Sequence, residues 1–123
     1  MGAITGLGSI SIDCAAPREL AEFYARLLGV DVELEGDGYC SINFDGTWIN
    51  LLEVPGFRRP TWPSGDVPQQ VHLDFAVEDL DEAQQAAVAA GASLADVQPE
   101  PTQWRVLLDP VGHPFCLTRN GSD

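Results

Sequence analysis

Lysine is missing from this chain. All six basic residues are arginine, at Arg18, Arg26, Arg58, Arg59, Arg105 and Arg119, as a GC-rich genome would supply, so Schiff-base chemistry through a lysine amine is excluded. Basic residues are also scarce, six against nineteen acidic ones, for a net charge of -13. A field of that sign repels phosphate backbones and anionic bilayers, so neither nucleic acid nor a membrane surface is an expected partner. The acidic residues are scattered and form no interaction tail. Cysteines number three, Cys14, Cys40 and Cys116, an odd count without paired spacing, which argues for reduced thiols over a disulfide framework. No apolar run approaches the roughly 20 residues of a membrane span. The first thirteen residues lack the basic and apolar regions of a signal peptide, and Gly6 stands where a myristoylation signal beginning at Gly2 needs a hydroxyl residue. The expectation is a cytoplasmic protein. Its 123 residues, 45% of them hydrophobic, suffice for one core and one domain, 1–123.

What is present is a pattern repeated twice. Ser9-Ile10-Ser11-Ile12 alternates polar and apolar residues, the period of a half-buried strand. Pro17 then opens a helix whose apolar stripe is Leu20, Phe23, Tyr24, Leu27 and Leu28, with Gly29 as its stop. Strands are predicted at 30–34, 39–44 and 47–54, separated by Gly36-Asp37-Gly38 and Asp45-Gly46. The second half begins with an alternating strand at 71–77. Asp79-Leu80-Asp81-Glu82 reads as a capping box, followed by a narrow stripe of Leu80, Ala83, Ala87 and Ala90 and the stop Gly91. Strands are predicted at 93–96, 103–108 and 114–118. Both halves, 1–54 and 70–119, read βαβββ. Shifts of 63, 62 and 66 residues superpose Ser9 on His72, Gly29 on Gly91 and Gly46 on Gly112, which marks a true repeat and pairs Asn50 with Cys116. The intervening linker, 55–69, rich in proline and glycine, reads as an extended connection outside either sheet.

Alternation also assigns faces. Ile10, Ile12, Ile49, Leu51, Leu73, Phe75, Phe115 and Leu117 suit the face under the helices. The opposite face collects Ser9, Ser11, Trp48, Asn50, Leu52, His72, Asp74 and Cys116, with Trp104 or Arg105 added by the strand at 103–108. A sheet face that mixes tryptophan with a few polar groups is what a small-molecule pocket requires. Trp62, beside Arg58 and Arg59 in the linker, is a candidate lid residue.

Three segments carry a family resemblance: 70–80, beginning Gln70-Val71-His72-Leu73-Asp74; 16–24 with Leu28-Gly29; and 108–117, from Leu108-Asp109-Pro110 to Cys116-Leu117. They resemble the vicinal oxygen chelate superfamily, the glyoxalase/bleomycin resistance/dioxygenase proteins, in its glyoxalase-like branch. The resemblance implies an α+β fold of two tandem βαβββ modules, with a curled mixed sheet around a cavity. Members include glyoxalase I, extradiol dioxygenases, epimerases, fosfomycin-resistance enzymes and bleomycin-sequestering proteins.

The family's divalent ion is held by one residue on the first and one on the last strand of each half, which here are Ser9, Asn50, His72 and Cys116. Only His72 is a residue that site uses. A His/Asn/Ser/Cys set offers no carboxylate for Mg²⁺ or Mn²⁺ and too few strong donors for structural zinc. The expectation is therefore no metal and no other cofactor, with a divalent ion as the alternative. His72 and Asp74 are the candidate catalytic pair for proton transfer. The candidate ligand-binding residues are Ser9, Ser11, Trp48, Asn50, Leu52, Trp62, His72, Trp104 and Cys116. The functional reading is a small-molecule binder, its ligand aromatic or cationic, in a protein expected to form homodimers. The alternatives are an enzyme of the lyase, isomerase or dioxygenase type, and a structural dimer with a vestigial cavity.

Overall fold

A computed structural model of the chain describes residues 3, 5, 7–69 and 71–119. The backbone divides after Phe57 into two compact units, and each is one βαβββ module with a four-stranded mixed sheet.

The first unit runs β1 (Ser9–Cys14), α1 (Pro17–Leu28), β2 (Val32–Gly36), β3 (Tyr39–Phe44) and β4 (Thr47–Glu53). Its strand order is β1-β4-β3-β2, with β1 parallel to β4 and the other pairs antiparallel. Helix α1 has Pro17 at its start, where the missing N–H costs nothing, and buries Leu20, Phe23 and Tyr24. The inward residues of its sheet, Cys14, Cys40, Ile42, Ile49 and Leu51, are buried as well, each large one contributing roughly 1.5–3 kcal/mol. The helix ends at Gly29 in the left-handed conformation, φ 71°. Val30 N–H donates to the Ala25 carbonyl at 3.0 Å, closing the cap. That cap corrects the expected start of β2: with Val30 engaged in it, pairing begins at Val32.

The second unit repeats the order as β5 (Leu73–Val77), α2 (Leu80–Ala90), β6 (Ser93–Leu94), β7 (Trp104–Leu108) and β8 (Pro114–Arg119), arranged β5-β8-β7-β6. Asp79 caps α2, accepting from Glu82 N–H at 2.9 Å. Under α2 lie Phe115 and Leu117, both buried, and Phe75 meets Phe115 edge-on at 5.9 Å. Two expected strands are shorter than the alternation suggested. Strand β5 starts at Leu73, not Val71. Leu73 pairs with Phe115, and the next position along would set His72 against Pro114, which has no N–H to offer. Strand β6 stops at Leu94 because Gln98 folds back and supplies hydrogen bonds to β7 from its side chain.

The connecting segment stays out of both sheets, but it is folded where an extended connection was expected. Thr61 N–H donates to the Val67 carbonyl at 2.8 Å, and Val67 N–H returns to Thr61 Oγ1 at 2.8 Å. The Trp62–Pro63 peptide within this turn is cis. Among the described residues no helix is long and apolar enough to cross a membrane.

Candidate functional site

The second unit contains a cavity of about 360 Å³, at the lower end of the roughly 300–1,000 Å³ typical of small-molecule sites. Its position follows from strand register. Asp74 faces Cys116 across the parallel pair β5–β8, Val106 faces Cys116 across β7–β8, and Trp104 faces Thr118. These residues share the sheet face turned away from α2, and all line the cavity. Trp62 comes from the connecting segment, and with Trp104 it packs on the buried cluster of Ala95, Val106 and Cys116. The alternation left Trp104 or Arg105 open; the register sends Trp104 to the cavity. Arg105 points to the other face, where it donates to Gln84 Oε1 at 2.6 Å and pairs with Asp81 at 3.0 Å.

Of the residues singled out in the sequence, the structure thus brings Trp62, His72, Asp74, Trp104 and Cys116 to one cavity. Ser9, Ser11, Trp48, Asn50 and Leu52 belong to the first unit, where Ser9 pairs with Trp48 and Ser11 with Asn50. There Ser41 Oγ donates to Asn50 Oδ1 at 2.8 Å, and Asn50 Nδ2 reaches Ser11 Oγ at 3.3 Å. Both ends of the Asn50 amide are therefore used inside its own sheet. Cavity residues that alternation did not single out are Gln69, Pro99, Val106, Pro114 and Thr118. The repeat register carries a signal for Thr118, which lies two residues beyond Cys116 on the same face. Gln69 and Pro99 stand in irregular segments without such a signal.

The polar end of the cavity is a compact trio. His72 Nε2 lies 3.4 Å from Asp74 Oδ1, and the imidazole, the carboxylate and Cys116 Sγ all fall within 4.8 Å of one another. His72 and Asp74 are solvent-accessible, while Cys116 is 8% exposed. Burial pushes the Cys116 thiol up to about 12, helped by the negative charge of Asp74 and by a hydrogen bond to it. At neutral pH Cys116 is thus a protonated thiol and a poor nucleophile.

These donors can be set against the ion the fold family implies. A hard octahedral ion asks for several oxygen ligands; of the implied positions, Asn50 has both ends of its amide in use within the first unit, and Cys116 of the second is a buried, protonated thiol. The residues do not suit Mg²⁺ or Mn²⁺. Imidazole, carboxylate and thiol together are instead the donor types that zinc accepts. The carboxylate is supplied by Asp74, which occupies none of the four positions implied by the resemblance.

A family model described as "Glyoxalase-like domain" matches residues 9–118. Among solved structures, the chain is similar to a glyoxalase/bleomycin resistance protein/dioxygenase family enzyme from Burkholderia phytofirmans PsJN, with 18% identity, 92% of this chain and 97% of that one covered, and a TM-score of 0.72. It is also similar to the genomically encoded fosfomycin resistance protein FosX from Listeria monocytogenes, at 19% identity, 94% and 91% coverage and a TM-score of 0.72. A mutant of that protein, solved with Mn(II) and 1S,2S-dihydroxypropylphosphonic acid, matches at 17% identity, 94% and 90% coverage and a TM-score of 0.71. At these identities the likeness is one of fold. No curated protein was found to match. With the match running from the first residue of β1 to the last but one of β8, the chain belongs to the glyoxalase-like domain family.

Proposed function

We propose that the protein binds a small organic ligand in the cavity of its second unit, without the hard divalent ion associated with the fold. The observation that carries this reading is the composition of the cavity wall: two tryptophans with Val106, Pro99 and Pro114 supply apolar surface, and Gln69, His72 and Asp74 supply a few polar groups. That is the make-up of a site that holds a planar ligand and fixes its orientation. The protonated state of Cys116 fits a lining role. The net charge of -13 favours a neutral or cationic ligand over an anionic one. A soluble cytoplasmic homodimer is the accompanying expectation.

The test is metal analysis of the purified protein together with a thermal-shift screen of aromatic compounds and divalent ions. Stabilisation by an organic compound that is lost in Trp104→Ala supports the reading, since a ligand that binds only the folded state raises the midpoint by mass action. Unchanged affinity in Trp62→Ala removes the lid role of the connecting segment.

The His72, Asp74 and Cys116 trio favours a second reading, a zinc-dependent enzyme of the lyase, isomerase or dioxygenase type. Stoichiometric zinc that disappears in His72→Ala replaces the first reading with this one. The same His72–Asp74 contact is what a metal-free acid–base pair would use.

A further inference from the structure

Thr118 lines the cavity and is 6% exposed. Among the described residues none hydrogen-bonds its hydroxyl. The one fully sealed side-chain oxygen without a partner there is Gln69 Oε1, so the Thr118 hydroxyl keeps some surface toward the cavity. A hydroxyl held that deep without a partner is costly, and proteins seldom retain one without a use. Strand register fixes where it stands. Across the parallel pair β5–β8, Asp74 lies opposite Cys116 and Ala76 opposite Thr118. Asp74 and Thr118 are thus opposite corners of a four-residue square on the face turned away from α2, with the small Cys116 and Ala76 on the other diagonal. One strand across and two residues along set the polar corners roughly 8 Å apart. On the β7 side, Val106 faces Cys116 and Trp104 faces Thr118, so an apolar wall flanks the polar diagonal. The Asp74 carboxylate only accepts, and beyond the Cys116 thiol it has lone pairs for a further donor; the Thr118 hydroxyl donates as well as accepts.

We infer that the cavity selects an elongated aromatic ligand with polar groups at opposite ends of one ring, an N–H or O–H donor set on the Asp74 carboxylate and an acceptor set on the Thr118 hydroxyl. Thr118 is then the specificity-determining residue of the site. It measures the length of the ligand, since groups on opposite carbons of a ring lie along the diagonal and groups set at an angle do not. A ring with a single polar group leaves one of the two corners without a partner. This assignment rests on the reading that the cavity takes a small organic ligand, and it adds the spacing of that ligand's polar groups.

Neutral probes built on one ring test it. In 4-aminobenzamide an N–H donor and a carbonyl acceptor stand at opposite ends; in 3-aminobenzamide the same groups are set at an angle; aniline and benzamide carry one end each. Titration of the full chain is followed through the indole N–H signals of Trp62 and Trp104. The 4-isomer is expected to bind roughly five- to tenfold more tightly than the other three compounds. Thr118→Val, which removes the hydroxyl and keeps the shape, should bring the 4-isomer down to the affinity of aniline and leave aniline unchanged, while Thr118→Ser should keep the preference. Without any ligand, Thr118→Val should leave the thermal midpoint unchanged or raise it, because an unpaired buried hydroxyl is removed. A lowered midpoint shows that the hydroxyl is satisfied within the protein and overturns the inference. Equal affinity for the two isomers, or an equal weakening of aniline and the 4-isomer in Thr118→Val, also overturns it and leaves the cavity reading standing. Absence of binding by all four compounds overturns both.

Discussion

The side-chain amide of Gln98 takes the place of a strand beside Val106: Nε2 donates to the Val106 carbonyl at 2.8 Å, and Val106 N–H donates to Oε1 at 3.0 Å. The same Nε2 also reaches the Ala95 carbonyl at 2.9 Å. The pairing begun by Ala95 N–H on the Val106 carbonyl is thus continued by a side chain where β6 has ended, and it holds Val106 and the following Pro99 at the cavity wall.

Replacement of Gln98 by Ala should destabilise the fold by about 2–3 kcal/mol, since three partly buried hydrogen bonds are lost and the Val106 N–H is left without an acceptor. Gln98→Glu should cost at least as much, because its carboxylate would face two carbonyl oxygens. Urea unfolding measures the loss, and amide exchange at Val106 should quicken in both variants. A change below about 0.5 kcal/mol, the range of an ordinary surface substitution, would show that the amide bridge contributes little.

Gly112 and Arg59 constrain each other. Gly112 has φ 94° in the turn that returns β7 to β8, and a Cβ there would overlap the Arg59 side chain at its Cγ and Nε. Gly112→Ala should therefore cost about 3 kcal/mol, part of it backbone strain and part of it displacement of Arg59. In an Arg59→Ala background the cost should fall to about 1–2 kcal/mol, the share due to φ alone. Equal costs in the two backgrounds would mean that Arg59 moves aside freely.

Most of the fold could be read from the sequence because it rests on periodicity and punctuation. Pro17 and Gly29 bracket α1, Asp79 and Glu82 open α2, and alternation placed Ile49, Leu51, Phe115 and Leu117 in the core. The same alternation put His72, Asp74 and Cys116 on one face. Their convergence was legible in part: once the repeat is recognised, the Ser11–Asn50 pair of the first unit carries over to Asp74 and Cys116 in the second. Gln69 and Gln98 were not legible. Each acts from a segment without a period, through the direction of one flexible side chain, and no spacing rule encodes that direction. The ends of β2, β5 and β6 failed for local reasons: a helix cap at Val30, a proline opposite His72, and a glutamine side chain that replaced a strand.

Asp109 is 1% exposed and holds the β7–β8 turn, its Oδ1 accepting from Val111 N–H at 3.0 Å and from His113 N–H at 2.9 Å. Asp109→Ala should lose about 3 kcal/mol by leaving two backbone donors unpaired, and Asp109→Asn, which keeps one oxygen in position, about 1 kcal/mol. Thermal unfolding of the two variants gives the comparison. If Asn is as damaging as Ala, the negative charge matters more than the acceptor geometry.

The raised thiol of Cys116 sets a direction for stability against pH. Burial first, then the charge and hydrogen bond of Asp74, push it to about 12, so the folded state keeps a proton that the unfolded chain releases at the ordinary thiol value. Between that ordinary value, about 8.5, and 12 the folded state binds more protons than the unfolded one. Stability is then fully present below the ordinary value and falls as pH rises through the window, by at most about 1.4 kcal/mol per pH unit for one thiol. Cys40, also raised chiefly by burial, contributes with the same sign. Cys116→Ala should remove its share of the alkaline decline while lowering the baseline through the small cavity it leaves. Asp74→Asn should flatten the decline only in part, because burial, the largest cause, is untouched. Iodoacetamide should alkylate Cys116 far more slowly than a free thiol near neutral pH. An unchanged alkaline slope in Cys116→Ala, or rapid alkylation of Cys116 near neutral pH, would mean that the thiol is not held protonated by its surroundings.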